Sequence, residues 1–266
     1  MSGSANGLGA ILSIDHGRHD LEPMARAAGA DPARIPRFKT LVAEAAIVVA
    51  AGQPGYGIFL DGDLGGEAIS HAAAAGLWIA QQYPHGRDDG ISRSWPLDRT
   101  VKLIINARAD ARTPLAERMP EVERIARTCE REGRPVLVEA LAGTGDTTAA
   151  LVEQICARGI SPRWWLVEPQ ATGDDWRRLA DVVRRHGAVD VGVIVIARNE
   201  NPRADFGVAA AEPLVRAFVG GRSIFGRPFK DWLAGRSDDE QARVDIAGRF
   251  RAMGAMWDAG KVRLHL

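Results

Sequence analysis

The segment Thr100-Val101-Lys102-Leu103-Ile104-Ile105-Asn106 reads as a β-strand covered on both faces, because its apolar residues follow one another with almost no polar alternation. Seven further short runs have the same character: Ala10–Asp15, Tyr56–Leu60, Leu77–Gln81, Val136–Glu139, Trp164–Glu168, Val191–Ala197 and Ala217–Gly220. Amphipathic stretches separate them, among them Arg34–Ala51, Glu67–Ala75, Leu115–Glu132, Thr147–Arg158, Asp175–His186 and Asp205–Arg216. A closing helix is expected over Asp238–Asp258, with Ser237 or Asp238 as its N-cap and acidic residues in its first turn.

Eight strand–helix units in a chain of 266 residues are what one closed (β/α)8 barrel needs. The expected fold is α/β, a single (β/α)8 TIM barrel domain over residues 1–266. An open doubly wound sheet is the other arrangement such alternation allows, but no Gly-x-Gly-x-x-Gly opens a helix after the first run. The longest irregular stretch, Gln82–Arg99, follows the third strand on the face that carries active sites. It is either a lid or a plain surface loop.

Composition narrows the class. Hydrophobic residues at 46% and charged residues at 26% describe a globular chain. Basic and acidic residues balance at 34 each, which leaves no excess to neutralise nucleic-acid phosphates or an anionic membrane surface. Val191–Ala197, the longest strongly apolar run, falls far short of the ~20 residues that cross a bilayer. Met1–Gly9 lacks the charged-then-apolar layout of a signal peptide. Cys129 and Cys156 have neither metal-ligand spacing nor the number for a disulfide framework, so a cytoplasmic address is expected. Homo-oligomerisation is compatible with all of this.

In a barrel, reacting groups project from the C-terminal ends of the strands and the loops that follow. Lys102 is the most informative of these. The chain has only four lysines against thirty arginines, and this one lies within a strand that should be buried on both faces. An ammonium there is costly unless paired, and desolvation favours the free amine that imine chemistry with a ketone requires. The bland reading is a structural lysine paired with Glu139 on the next strand. Lys39 falls on a helix after strand one, Lys230 begins the helix after strand eight and Lys261 lies in the tail, so none of them is expected to be well placed. Asp15 and Glu139, at the ends of strands one and five, are either acid–base groups or ion-pair partners of Lys102 and Arg198.

Gly221-Arg222-Ser223 ends strand eight, where barrels often bind phosphate through backbone N–H groups and a guanidinium. A plain glycine turn is the alternative. Arg198 supplies a second fork from strand seven, and Asp61 ends strand two among the substrate-binding candidates. His16 and His19 read as solvated loop histidines. Asp61, Asp63, Glu139 and Glu168 have no spacing that singles out a divalent ion, so no metal is expected. Trp164 and Trp165 read as barrel core. Ala142-Gly143-Thr144-Gly145-Asp146 resembles the glycine-rich anion hole of ribokinase-like sugar kinases, but Ala140 stands where those kinases place an acidic residue.

With Asp15-His16, the run Gly29-Ala30-Asp31-Pro32-Ala33-Arg34-Ile35-Pro36, Lys102, Glu139 and Gly221-Arg222-Ser223 in view, the chain resembles a known group. It is similar to the aldolase-like domain of inositol-catabolic kinase/aldolases, the 5-dehydro-2-deoxyphosphogluconate aldolases. More distantly it is similar to class I tagatose-bisphosphate aldolases and their sulfo-sugar relatives. The resemblance runs from Ile11 to the closing helix and implies a (β/α)8 barrel. It also implies active-site roles for Asp15, Lys102 and Glu139 and a phosphate-binding turn at Arg222. The family's Schiff-base lysine sits on strand six in a pattern like Trp-Lys-Ile-Glu, whereas this chain has Trp165-Leu166-Val167-Glu168.

Leucine cannot form an imine. Lys102 has then taken over, as in transaldolase-like barrels with a lysine on an equivalent fourth strand, or the site runs enolate chemistry without an imine, or the activity is lost. The expected function is an aldolase-type carbon–carbon lyase acting on a phosphorylated or otherwise anionic keto-sugar, without a cofactor. In it Lys102, Glu139 and Asp15 react, and Gly221, Arg222, Ser223, Arg198 and Asp61 bind substrate. A keto-sugar isomerase or epimerase using the same groups, or a catalytically degenerate sugar-binding barrel, is the alternative.

Overall fold

A computed structural model of the chain describes residues 7–84, 91, 95–108, 113–142, 147–187 and 190–262. Its strands are β1 (Ala10–Ser13), β2 (Tyr56–Asp61), β3 (Trp78–Gln82), β4 (Thr100–Asn106), β5 (Val136–Leu141), β6 (Trp164–Val167), β7 (Gly192–Ala197) and β8 (Val215–Gly220). They close into a barrel in sequence order, with parallel pairing. The expected (β/α)8 barrel is the observed fold. Its helices are α1 (Arg18–Ala27), α2 (Ile35–Ala50), α3 (Gly66–Ala74), α4 (Leu115–Glu132), α5 (Thr148–Cys156), α6 (Gly173–His186), α7 (Arg203–Ala209), α8 (Arg222–Leu233) and α9 (Asp239–Val262).

Internal contacts group the chain into two compact units. The first comprises Met1–Pro84, Ala197–Pro202 and Phe218–Asp258. In it Ala10 pairs with Tyr56 on one side and Phe218 on the other. Phe218 packs against Phe250 and Trp257 of α9, so this set of residues faces helices. The alternate set faces the barrel interior, because successive strand side chains point to opposite faces. It includes Ile11, Ser13, Gly57, Phe59 and Trp78.

The second unit comprises His85–Ile196, Arg203–Ala217 and Ala259–Leu266. Lys102 aligns with Leu137, Leu137 with Trp164 and Trp164 with Gly192. Two residues further along, Ile104, Glu139, Leu166 and Ile194 align in the same way. Each unit contains one glycine whose missing side chain makes room for a cross-strand indole. A Cβ on Gly57 or on Gly192 would collide with the ring of Trp78 or of Trp164, respectively.

Three boundaries differ from expectation for local reasons. The helix expected over Asp205–Arg216 stops at Ala209, because Pro213 cannot donate to it and Glu212 takes the N–H of Leu214 on its carboxylate at 3.1 Å. Strand β8 accordingly begins at Val215. Helix α1 lies ahead of the first expected helix, and the helix expected to begin at Lys230 begins at Arg222 instead. Buried Leu21 and Ala25, and buried Ile224, Phe225, Phe229 and Trp232, hold them in place. Lys230 therefore lies in the last turn of α8, not at the start of a helix.

The closing helix is capped as the sequence suggests. Asp238 accepts the N–H of Gln241 at 2.8 Å, and Gln241 accepts that of Asp238 at 3.0 Å. Of the Gln82–Arg99 stretch, residues 85–90 and 92–94 lie outside the described residues. Its far end is pinned where Arg134 donates to the carbonyls of Trp95 and Pro96, both at 3.1 Å. Residues 143–146 of the glycine-rich run also lie outside the described residues.

Candidate active site

In the second unit, β4 carries Lys102 and β5 carries Glu139 on one face. The Lys102 Nζ stands 2.7 Å from Glu139 Oε2. Lys102 is 3% exposed, so the carboxylate faces its amine within the interior. Leu166 aligns directly with Glu139 across β5 and β6 and is itself buried. The β6 position that borders the carboxylate is therefore apolar.

Further toward the strand ends, Arg108 forms an ion pair with Glu168. The Arg108 backbone N–H donates to Asn106 Oδ1 at 3.0 Å. Gln170 Nε2 donates to the Glu168 carbonyl at 2.7 Å and to Thr148 Oγ1 at 3.1 Å. Arg108 escaped the sequence reading, although it continues the register of Lys102 and Asn106 two residues past the strand.

In the first unit, Asp15 is buried and accepts the Ser13 hydroxyl at 2.5 Å. Asp61 Oδ1 accepts the N–H groups of Asp63 at 3.0 Å and Leu64 at 2.8 Å. Its other oxygen pairs with Lys39. Lys39 is fully buried and donates to the His16 carbonyl at 2.8 Å. Burial holds the Lys39 ammonium below its ordinary pKa, while Asp61, and less strongly Asp15 and Asp63, pull the other way.

The expectation that Lys39 is poorly placed is corrected by this geometry. One helical turn into α2, it ties the end of β1 to the end of β2. The available signal was its position in the apolar run Phe38-Lys39-Thr40-Leu41-Val42 of a lysine-poor chain. His16 is also not a solvated histidine; its ring packs edge-on to Phe225 with centroids 5.3 Å apart.

Gly221 is the N-cap residue of α8, and its carbonyl accepts the N–H groups of Ile224 at 2.8 Å and Phe225 at 3.0 Å. It lies close to the end of β1: a Cβ there would sit 3.7 Å from the Ser13 carbonyl oxygen. Ser223 Oγ donates to the Ala197 carbonyl at 3.0 Å. Arg222 and Arg198 are exposed, at the start of α8 and just past β7.

Burial pushes the Cys129 thiol up to about 12 and that of Cys156 to about 11, which leaves neither a nucleophile. Among the described residues no group of three His, Cys, Asp or Glu stands close enough to hold a metal ion. Among the same residues no helix is long and apolar enough to cross a membrane.

Among solved structures, the chain is similar to a candidate fructose-1,6-bisphosphate aldolase from Coccidioides immitis. The two share 15% identity over 95% of this chain and 90% of that one, with a TM-score of 0.63. The YdjI aldolase from Escherichia coli K12 is 13% identical over 95% and 92% of the two chains, with a TM-score of 0.58. An archaeal fructose 1,6-bisphosphate aldolase is 14% identical over 92% and 96%, with a TM-score of 0.50. At these identities the likeness is one of fold. Comparison with curated protein sequences finds no match. Residues 6–261 match the family model described as "Uncharacterized protein conserved in bacteria (DUF2090)", and the chain belongs to that family.

Proposed function

We propose that the chain is an aldolase-type lyase that cleaves a phosphorylated or otherwise anionic keto-sugar. Lys102 is its imine-forming amine, in place of the lysine absent at Leu166. The observation that carries this reading is the buried amine 2.7 Å from the Glu139 carboxylate, within a strand of an aldolase-like barrel. A primary amine kept in such a strand, with a proton acceptor in contact, is the minimum equipment for imine chemistry. The substrate class is the one implied by the resemblance to 5-dehydro-2-deoxyphosphogluconate aldolases.

In the proposed reaction Glu139 takes a proton from the Lys102 ammonium. The free amine adds to the substrate ketone, and Glu139 returns the proton to the departing water. The carbon–carbon bond beside the iminium then breaks, its electron pair passing to the iminium nitrogen as Asp15 removes the proton of the adjacent hydroxyl. An aldehyde leaves and an enamine remains. Protonation of the enamine and hydrolysis by one water free Lys102 and release the second fragment.

Gly221, Arg222, Ser223 and Arg198 bind the anionic end, through guanidinium forks and N–H groups at the start of α8. Asp61, itself anionic, serves substrate binding away from that end, by holding Lys39 at the end of β1 through their ion pair. Residues 1–266 act as one functional domain, with a cytoplasmic address. Aldehyde release from a keto-sugar phosphate by the wild type, and its loss in Lys102→Met, tests the proposal. Binding without turnover in the wild type would favour a degenerate sugar-binding barrel instead.

A further inference from the structure

Resting on the assignment of Lys102, we propose that Arg108 is an oxyanion-binding residue for the fragment that stays with Lys102, and that Glu168 is its resting counter-ion, displaced when that group arrives. The substrate would then carry a phosphate or carboxylate on the carbonyl side of the broken bond.

The register supplies the placement. Glu139 aligns with Leu166, so Glu168 lies two residues further along the chain from Leu166, about 6.5 Å at strand geometry. Asn106 aligns with Leu141, and Arg108 lies two residues past it. The Arg108–Glu168 pair therefore joins the ends of β4 and β6 across β5, beyond Glu139.

Exposure rises along the same direction. The side chains of Lys102 and Glu139 are 4% and 15% exposed, and those of Glu168 and Arg108 are 20% and 37% exposed. A molecule approaching Lys102 from solvent along this face meets the Arg108–Glu168 pair before the amine.

The chemistry of the pair matches that position. A guanidinium fork binds a carboxylate or a phosphate through the same parallel N–H groups, so the Glu168 carboxylate occupies the place of a ligand oxyanion. A pair this open to solvent is weakly held, and exchange turns the Glu168 carboxylate away from the guanidinium. The backbone there is steadied independently, since Gln170 bonds the Glu168 carbonyl and Arg108 N–H bonds Asn106.

The test is calorimetric titration of the full chain with inorganic phosphate and, separately, with acetate. Arg222→Ala serves as the background, so that the start of α8 does not contribute. In that background, Arg108→Gln should abolish binding of the anion, and Glu168→Gln should tighten it about three- to tenfold. The gain should vanish when Arg108→Gln and Glu168→Gln are combined. Preference for phosphate over acetate assigns a phosphate, and the reverse assigns a carboxylate.

Unchanged binding in Arg108→Gln, or no gain in Glu168→Gln, overturns the proposal. So does a gain that survives the combination, because it would be a long-range charge effect. Unchanged thermal unfolding of each variant separates these outcomes from loss of the fold. Failure of the Lys102 assignment registers elsewhere, as the absence of any reduced imine adduct while anion binding follows the expected pattern.

Discussion

Lys102 and Glu139 lie on neighbouring parallel strands with amine and carboxylate 2.7 Å apart, and Leu166 flanks Glu139 from the other side in register. A buried ion pair of this kind is weak evidence for stability, because desolvation offsets most of the Coulomb attraction. Its value lies in placing a proton donor and acceptor in contact. Glu139→Gln keeps the size of the side chain and removes its capacity to take a proton. Imine formation on Lys102 should slow by about 10²- to 10⁴-fold, measured as the rate of trapped adduct. A near-normal rate would move proton transfer to another group.

Lys39 predicts an effect on stability. Lys39→Met leaves Asp61 buried without its cation, and breaking a buried pair costs about 3–5 kcal/mol. Urea unfolding should report a loss of that order, and Lys39→Met combined with Asp61→Leu should recover part of it. Below its folded pKa, Lys39 is charged in both states. Between that value and the ordinary 10.5, the unfolded chain holds a proton that the folded chain has released. The contribution of Lys39 to stability therefore grows with pH across that window. The gap between wild type and Lys39→Met should widen as pH rises through the folded pKa toward 10.5, and a gap that stays constant up to 10.5 would contradict the lowered pKa.

The turn at Gly221 predicts a change in binding. Arg222→Ala removes a charge-assisted contact and should weaken phosphorylated ligands by about ten- to a hundredfold, with the thermal midpoint unchanged because the side chain is exposed. Equilibrium titration with a keto-sugar phosphate reads this directly. Unchanged affinity would place the anion elsewhere.

The barrel was legible because burial on both faces leaves a plain signal: near-continuous apolar runs, each recovered within two residues of its observed limits. The pairing of Lys102 with Glu139 was legible for the same reason, since two charged residues inside such runs have few alternatives to each other. Lys39 was not, because a helix ordinarily turns a lysine to solvent, and only the tertiary approach of Asp61 and the His16 carbonyl turns this one inward. Arg108 was missed because it follows the strand, where residue type alone does not say which way a side chain returns. Helix α1 and the early start of α8 were not legible, because Pro and Gly are strong local signals that buried apolar faces override.

Borohydride reduction of the full chain in the presence of dihydroxyacetone phosphate and a panel of keto-sugar phosphates, followed by peptide mass spectrometry, decides the chemistry. A stable adduct on the peptide containing Lys102, absent without substrate and absent in Lys102→Met, is the predicted result. Turnover with no adduct on any lysine, or an adduct on Lys39 in place of Lys102, would contradict it.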